Sequence, residues 1–523
     1  MMNRLSDLIT RQAKTAPSHP AVIFKQQEMT YGQLADEVRS FGHGLLAAGM
    51  NKNDRVAIYL PKQMETVISF FGPAYAGGVF VPINPVLKPH QVAYILKNCG
   101  ARFLVTSADR WVTLKDELTN CPGMERVIIT GDVPDSDLYL DYKITSYCDF
   151  LAQDHLMDAK PHDVTNADMA AILYTSGSTG LPKGVVLSHG NMIVGAQSVA
   201  SYLKNTSEDR ILSVLPLSFD AGLSQLTTAF SVGASAILMT YLLPRDVIRQ
   251  AEKYKVTGIT FVPPLLLQMG DMAWPKAVKD SLRYIATTGG KMPVSATSKF
   301  RKILPKSDIY LMYGLTEAFR STYLPPSEID RIPGSIGKAI PQADVRVVRE
   351  DGSLCDVGEE GELIHLGPLV GMGYWNDPER TAQRFRPVSS TDPARAVWSG
   401  DRVIRDKDGY LYFVGRGDDM IKTSGFRTSP NEVEDIIQSS GLVTENAAVG
   451  REHEQLGQVI WVVAVAPGSR GLDMAGIMAY CRTKMPSYMV PHRVIEWKEL
   501  PKNANGKIDR KVISRELDKE KDA

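Results

Sequence analysis

Between residues 55 and 262, short β-branched runs alternate with helix-length stretches, and this alternation restricts the chain to few architectures. Arg55-Val56-Ala57-Ile58-Tyr59-Leu60 precedes a segment with apolar residues at helical spacing up to Tyr75. Gly77 to Pro82, Arg102 to Thr106 and Arg126 to Ile129 repeat the strand texture. It resumes at Ala170 to Tyr174, Ile211 to Val214, Ala236 to Met239 and Gly258 to Val262. Strands separated by helices read as mostly parallel sheets covered on both faces. The expected fold is α/β, with two such lobes packed together. At 523 residues the chain is too long for one hydrophobic core.

The texture changes near Gly334. Up to Gly415, glycines and alternating runs such as Asp344 to Val348 and Gly361 to His365 predict antiparallel structure, a small β-barrel. After Arg416, a helix at Glu432 to Gln438, strands at Ala447 to Val449 and Val459 to Ala466, and a helix at Met474 to Lys484 predict a separate α+β domain. The expected division is a large domain over 1–415 and a smaller one over 416–523. The charged tail from Arg515 to Ala523 is expected to fray.

Lys+Arg and Asp+Glu both number 59, so no bulk charge draws the chain toward nucleic acid or an anionic membrane. Met1 to Pro17 reads as an amphipathic helix rather than a signal peptide. Val459 to Ala466 is far short of a membrane span and reads as a buried strand. Five scattered cysteines form no C-x-x-C pair, read as small buried hydrophobes, and fit a reducing cytoplasm.

One segment points to chemistry. Tyr174-Thr175-Ser176-Gly177-Ser178-Thr179-Gly180-Leu181-Pro182-Lys183-Gly184 follows an apolar strand. Three glycines, a proline and four hydroxyls in this stretch suit neither a strand nor a helix interior. Glycines let backbone N–H groups face an anion, hydroxyls add donors, and Lys183 adds a charge. This is phosphate-loop chemistry, but not a Walker A loop, because Pro182 precedes the lysine.

The segment resembles the phosphate loop of the adenylate-forming superfamily: acyl- and aryl-CoA ligases, nonribosomal peptide synthetase adenylation domains and firefly-type luciferases. The resemblance runs from Met29-Thr30-Tyr31-Gly32-Gln33-Leu34 to Lys507, with several motifs in the same order. It implies that Thr175, Ser176, Gly177, Ser178, Thr179, Gly180 and Lys183 hold the phosphates of ATP. Tyr313-Gly314-Leu315-Thr316-Glu317 resembles the second nucleotide motif. There Tyr313 would stack on adenine, Thr316 would meet the α-phosphate and Glu317 would hold Mg²⁺. Trp398-Ser399-Gly400-Asp401 resembles the ribose motif, with Ser399 where the family more often has threonine. Gly415-Arg416-Gly417-Asp418 resembles the hinge, with Arg416 reaching the ribose and Asp418 as pivot. Pro501 to Arg510 resembles the C-terminal catalytic motif, whose lysine maps to Lys507.

The implied reaction is activation of a carboxylic acid as acyl-AMP with release of pyrophosphate. The acyl group then passes to the thiol of coenzyme A, or of phosphopantetheine on an acyl or peptidyl carrier protein. Leu215 to Gly222 resembles the family's acyl-pocket motif. Many CoA ligases carry histidine where Phe219 stands, and Phe-Asp is the amino-acid-activating pattern. Asp220 therefore either binds an amino group of the substrate or pairs with Arg320, a carboxylate in an apolar pocket being costly alone. Gly289 is the other expected pocket residue. The overall texture is similar to both exosortase-associated acyl-CoA ligases and free-standing prolyl-type adenylating enzymes. Oxygenase chemistry, nucleotide binding without catalysis and transfer to an amine or hydroxyl are the competing readings.

Overall fold

The structure is a computed structural model describing residues 2–133, 142–152, 160–175, 181–290, 292–416, 420–468, 471–502 and 508–519, without the side chains of 119, 120 and 416. An eight-stranded sheet forms the first lobe. Its order is Gly373–Tyr374, Lys183–Ser188, Met169–Thr175, Val79–Pro82, Arg55–Tyr59, Phe103–Ser107, Arg126–Thr130 and Lys143–Ser146. Pairing is parallel from Met169–Thr175 to Lys143–Ser146, as the alternating pattern predicts. Lys183–Ser188 breaks the rule by folding back antiparallel, with Thr175 opposite Lys183. The residues that flank the phosphate-loop segment, Thr175 and Lys183, are therefore antiparallel neighbours.

The strands obey a period of two. In Arg55–Tyr59, Val56 and Ile58 enter one core while Ala57 and Tyr59 enter the core on the opposite face. The first of these cores is shared by both lobes. It gathers Phe41, Phe71, Leu173, Leu223, Phe230 and Ala236, so four helices lie between two sheets: Tyr31–Ala47, Met64–Ala76, His189–Tyr202 and Asp220–Val232. Local chemistry starts two of them. Thr30 accepts from the Gln33 backbone N–H while Gln33 accepts from that of Thr30. Ser188 and Asn191 repeat the exchange and turn the returning strand into a helix.

The second lobe has parallel strands Pro20–Phe24, Ser235–Leu238, Arg210–Ser213, Gly258–Phe261, Tyr284–Thr287 and Asp308–Tyr313. The small barrel expected after Gly334 is built as an antiparallel extension of this sheet. Thr322–Leu324 and Ser335–Ala339 carry the ladder from Asp308–Tyr313 to Leu411–Arg416, Arg395–Arg405, Glu360–Leu366 and Asp344–Val348. The two halves meet at a bulge between Ser335 and Gly337. Gly337 has φ 86°, and a Cβ there would lie 1.8 Å from the Tyr323 carbonyl oxygen. Ser335 Oγ accepts the Gly337 N–H at 3.0 Å and donates to the Leu411 carbonyl at 2.8 Å, which fixes the bulge.

The C-terminal sheet is Phe426–Thr428, Ile421–Thr423, Gly457–Val465 and Glu445–His453, with Arg493–Glu496 parallel to Gly457–Val465. The apolar run read as a buried strand lies inside this sheet, paired on both edges. Two expectations are corrected. The tail does not fray from Arg515: the helix Arg510–Lys519 buries Ile513 and Leu517, four residues apart, against Ala447, Val449 and Val463. Cys148 is exposed, whereas the other four cysteines are buried as expected. Among the described residues no helix is long and apolar enough to cross a membrane.

Gly337→Ala combines a left-handed backbone with a clash against main chain, which no rotamer relieves. We expect a loss of roughly 2–5 kcal/mol, seen as a lowered thermal midpoint. An unchanged midpoint would show that the bulge does not set the join between the two halves of the sheet.

Candidate active site

Three segments distant in sequence meet at one buried charge. Glu317 sits on the turn Thr316–Ala318 after Asp308–Tyr313, and its side chain is 1% exposed. Lys183 Nζ, at the start of the returning strand, donates to Glu317 Oε1 at 2.9 Å and to the Tyr374 hydroxyl at 2.7 Å. Tyr374 OH donates in turn to Glu317 Oε1 at 2.7 Å. Burial alone would raise the Glu317 pKa. Lys183, Arg384, Arg427 and the Tyr374 hydrogen bond outweigh it and hold the carboxylate well below the usual range. Burial pulls Lys183 below the ordinary lysine value, opposed by Glu317. Three cations thus surround one carboxylate, an excess of positive charge that suits a polyanion.

The Tyr313 hydroxyl donates to Asp401, so the second nucleotide motif and the ribose motif are in contact. One face of the Tyr313 ring lies against His365, with centroids 6.3 Å apart and planes 18° from parallel. Both ring nitrogens of His365 lack a hydrogen-bond partner among the described residues. Burial, aided by Arg384, pushes this imidazole down to about 3, so it is neutral and serves as a flat support. Asp401 stands opposite Arg416 across the strand pair, which joins the ribose and hinge motifs.

A cavity of about 190 Å³ opens beside these residues. From the nucleotide motifs its lining includes Thr175, Tyr313, Gly314, Thr316 and Asp401. From the acyl-pocket segments it includes Ser218, Phe219, Asp220, Gly289 and Arg320. It also includes Leu87, Gln91 and Ile95, with Phe426, Glu432 and Tyr488 of the C-terminal part. The buried Thr175 hydroxyl has no partner among the described residues, as expected of a donor that awaits a ligand oxygen. Arg320 Nη1 lies 3.9 Å from Asp220 Oδ2. Burial raises the Asp220 pKa and Arg320 opposes that rise. Each of the two sequence alternatives for Asp220 keeps part of its ground: the ion pair exists, and both partners face the cavity.

The C-terminal part closes the cavity with aromatic contacts. Phe426 meets Phe219 edge to face at 5.2 Å and stacks on Tyr488 at 3.9 Å. Gly425, with φ 84°, lets the hairpin bring this aromatic in, because a Cβ there would lie 2.7 Å from Val262 Cγ2. A larger cleft of about 880 Å³ continues past Tyr313, Gly289 and Gly290 to Glu452 and His453.

Of the expected site residues, Thr175, Lys183, Phe219, Asp220, Gly289, Tyr313, Thr316, Glu317, Arg320 and Asp401 converge here. Ser176, Gly177, Ser178, Thr179, Gly180, Asp418 and Lys507 lie outside the described residues, as does the side chain of Arg416. Lys502 and Ile508, which flank the catalytic-lysine segment, form an antiparallel bridge, and Ile508 packs in the C-terminal core. Sequence reasoning missed Tyr374, Arg384, His365, Phe426, Glu432 and Tyr488. Gly373-Tyr374 alone carried a local hint, an aromatic set in a glycine-rich turn.

Comparison with known proteins agrees with this geometry. The model of the AMP-binding enzyme family matches residues 9–375, and that of the AMP-binding enzyme C-terminal domain matches residues 432–507. A long-chain-fatty-acid–CoA ligase of Salmonella typhimurium is 29% identical, covering 97% of this chain and 94% of the ligase. A linear gramicidin synthase polypeptide of Brevibacillus parabrevis is 28% identical over 96% of this chain, which spans 6% of that protein's length. A double mutant of the Bacillus subtilis o-succinylbenzoate CoA synthetase, bound with its product analogue OSB-NCoA, superposes with TM-score 0.83 at 25% identity, covering 97% of each chain. The same synthetase in complex with its acyl-adenylate gives 0.68 at the same identity and coverage. The chain belongs to the AMP-binding enzyme family and is an AMP-forming ligase of the acyl-CoA synthetase type.

Proposed function

We propose that this ligase activates a short acid bearing a polar or amino group, and passes the acyl group to the thiol of coenzyme A. The observation that carries this reading is the small cavity floored by Asp220 and Arg320 beside the nucleotide wall. About 190 Å³ is small beside the ~300–1,000 Å³ of common ligand pockets. A cavity of this size favours a short acid over a long alkyl chain held within it. At 3.9 Å the Asp220–Arg320 pair attracts without a shared hydrogen bond, which leaves Asp220 Oδ2 able to accept from a substrate ammonium. The likeness to the linear gramicidin synthase supports a second acceptor, the phosphopantetheine of a separate carrier protein.

The reaction joins two anions, so catalysis is charge neutralisation and alignment. ATP phosphates entering beside Thr175 compete with Glu317 for Lys183, which swings from carboxylate to phosphate. The Ser176–Gly180 segment supplies further donors. The released Glu317 is the residue suited to hold Mg²⁺, an ion that typically binds one or two carboxylates together with substrate phosphates. When bound, Mg²⁺ neutralises charge on the departing pyrophosphate. Asp401 and Arg416 hold the ribose, and Tyr313, backed by His365, presents its other face to adenine. Lys507 bridges the attacking carboxylate and the α-phosphate. The part over 416–523 then turns about Asp418 relative to 1–415, and the hinge carries Lys507 away and Gly425 in. We place the enzyme in the cytoplasm.

Two experiments test this. Pyrophosphate release should be greatest with small amino or polar acids in a screen that also includes aryl and fatty acids, each with and without coenzyme A. Asp220→Ala should abolish that preference. Turnover with plain fatty acids only would sink the ammonium-pairing assignment. Separately, Lys507→Ala should lower acyl-AMP formation by roughly 10³-fold, while thioester formation from preformed acyl-AMP persists. An equal loss in both half-reactions would overturn the hinge assignment.

A further inference from the structure

In the proposed reading the nucleotide lies by Thr175, Thr316 and Asp401, and the acid by Asp220 and Arg320. The same cavity is also lined from both parts of the chain by Leu87, Gln91, Ile95, Phe426, Glu432 and Tyr488, a side where Gln91 meets Glu432 and Phe426 stacks on Tyr488, and which is open to the thiol. Most of this side is apolar or aromatic: Leu87, Ile95, Phe426 and Tyr488. Set among them is one carboxylate, Glu432, in the first turn of the helix Pro430–Gln438. It accepts a hydrogen bond from Gln91 Nε2 at 3.2 Å, across from the helix Pro89–Cys99. No salt bridge to Glu432 occurs among the described residues.

We propose that Glu432 is the base that takes the proton from the attacking thiol. This rests on the ligase reading above. A free thiol titrates near 8.5 and is largely protonated at neutral pH, so the nucleophile must lose a proton as it attacks. The S–H proton passes to the Glu432 carboxylate as the S–C bond forms at the acyl carbonyl. The carbonyl–oxygen bond to the phosphate breaks, its electron pair leaves with AMP, and Glu432 later returns its proton to solvent. The groups facing Glu432 suit that task. Burial pushes its carboxyl up to about 7, with Gln91 opposing and Asp435 of its own helix adding to the rise. Tyr488, which also lines the cavity, is raised by burial and then by Glu432, so it stays protonated, and Lys422 and Arg427 of the neighbouring hairpin line the same cavity. The proton acceptor would thus arrive with the part of the chain that closes the thiol channel.

The test uses the full-length protein and compares Glu432→Gln and Glu432→Asp with the wild type in both half-reactions. The probes are coenzyme A and the preformed adenylate of the acid most active in the pyrophosphate screen. In single turnover, the wild-type thioester rate should rise with pH through about 7 as Glu432 ionises, then level. Glu432→Gln should be about 10²-fold slower and lose that inflexion, a far larger fall than in ATP–pyrophosphate exchange. Glu432→Asp should recover part of the rate and the inflexion. An unaltered rate and pH profile in Glu432→Gln overturns the proposal, as does an equal fall in exchange. A wild type that makes acyl-AMP but no thioester would remove the ligase reading itself, and Glu432's role with it. The two failures are told apart by which protein fails.

Discussion

The site depends on one buried contact, the ammonium of Lys183 against the carboxylate of Glu317, with the Tyr374 hydroxyl bridging them. Each member comes from a different stretch of chain: the returning strand of the first sheet, the turn that leaves the second sheet, and a two-residue strand from the antiparallel region. A buried charge without a partner is expensive. Misplacing the strand of Lys183 or the turn of Glu317 strands a charge, and misplacing Tyr374 removes a hydrogen bond from both, so their electrostatics specify how the lobes come together. The same arrangement is poised for ligand. In the proposed reading, a phosphate group offers Lys183 more negative charge than Glu317 does, so nucleotide binding would replace one satisfied state with another.

Much of this was legible in the sequence where the signal was local. β-Branched runs fixed the parallel strands because each strand must feed two cores, and Val56 and Ala57 show the consequence in adjacent residues. The motifs singled out Lys183, Tyr313, Glu317 and Asp401 because each has a recognisable neighbourhood, and the fold joins Lys183 to Glu317 and Tyr313 to Asp401. The barrel was legible as antiparallel texture but not in its attachment, since Gly337 reveals its role only against the Tyr323 carbonyl. The tail helix was hidden because Ile513 and Leu517 are two apolar residues in a charged run, and only their pairing on the C-terminal sheet gives them weight.

The residues that escaped were those defined by what surrounds them. Arg384 and His365 are single residues in ordinary helix and strand contexts, and their importance lies in facing Glu317 and Tyr313. Glu432 sits in a helix first turn, where acids are common for reasons of helix polarity alone. Only closure against Gln91 and Tyr488 sets it apart. The sequence also left Asp220 with two partners to choose between. The structure supplies a long ion pair on the cavity wall, a geometry that serves both.

The contact of Phe219 with Phe426 ties the acyl wall to the hairpin that the C-terminal part brings in. One aromatic therefore serves both as cavity lining and as docking platform for the C-terminal hairpin. In the proposed reading, selectivity and turnover rate are coupled through that ring. A chain diverging toward a bulkier acid by trimming residue 219 would also loosen the closed posture, and would have to rebuild the platform at Phe426 or Tyr488 before it could regain speed.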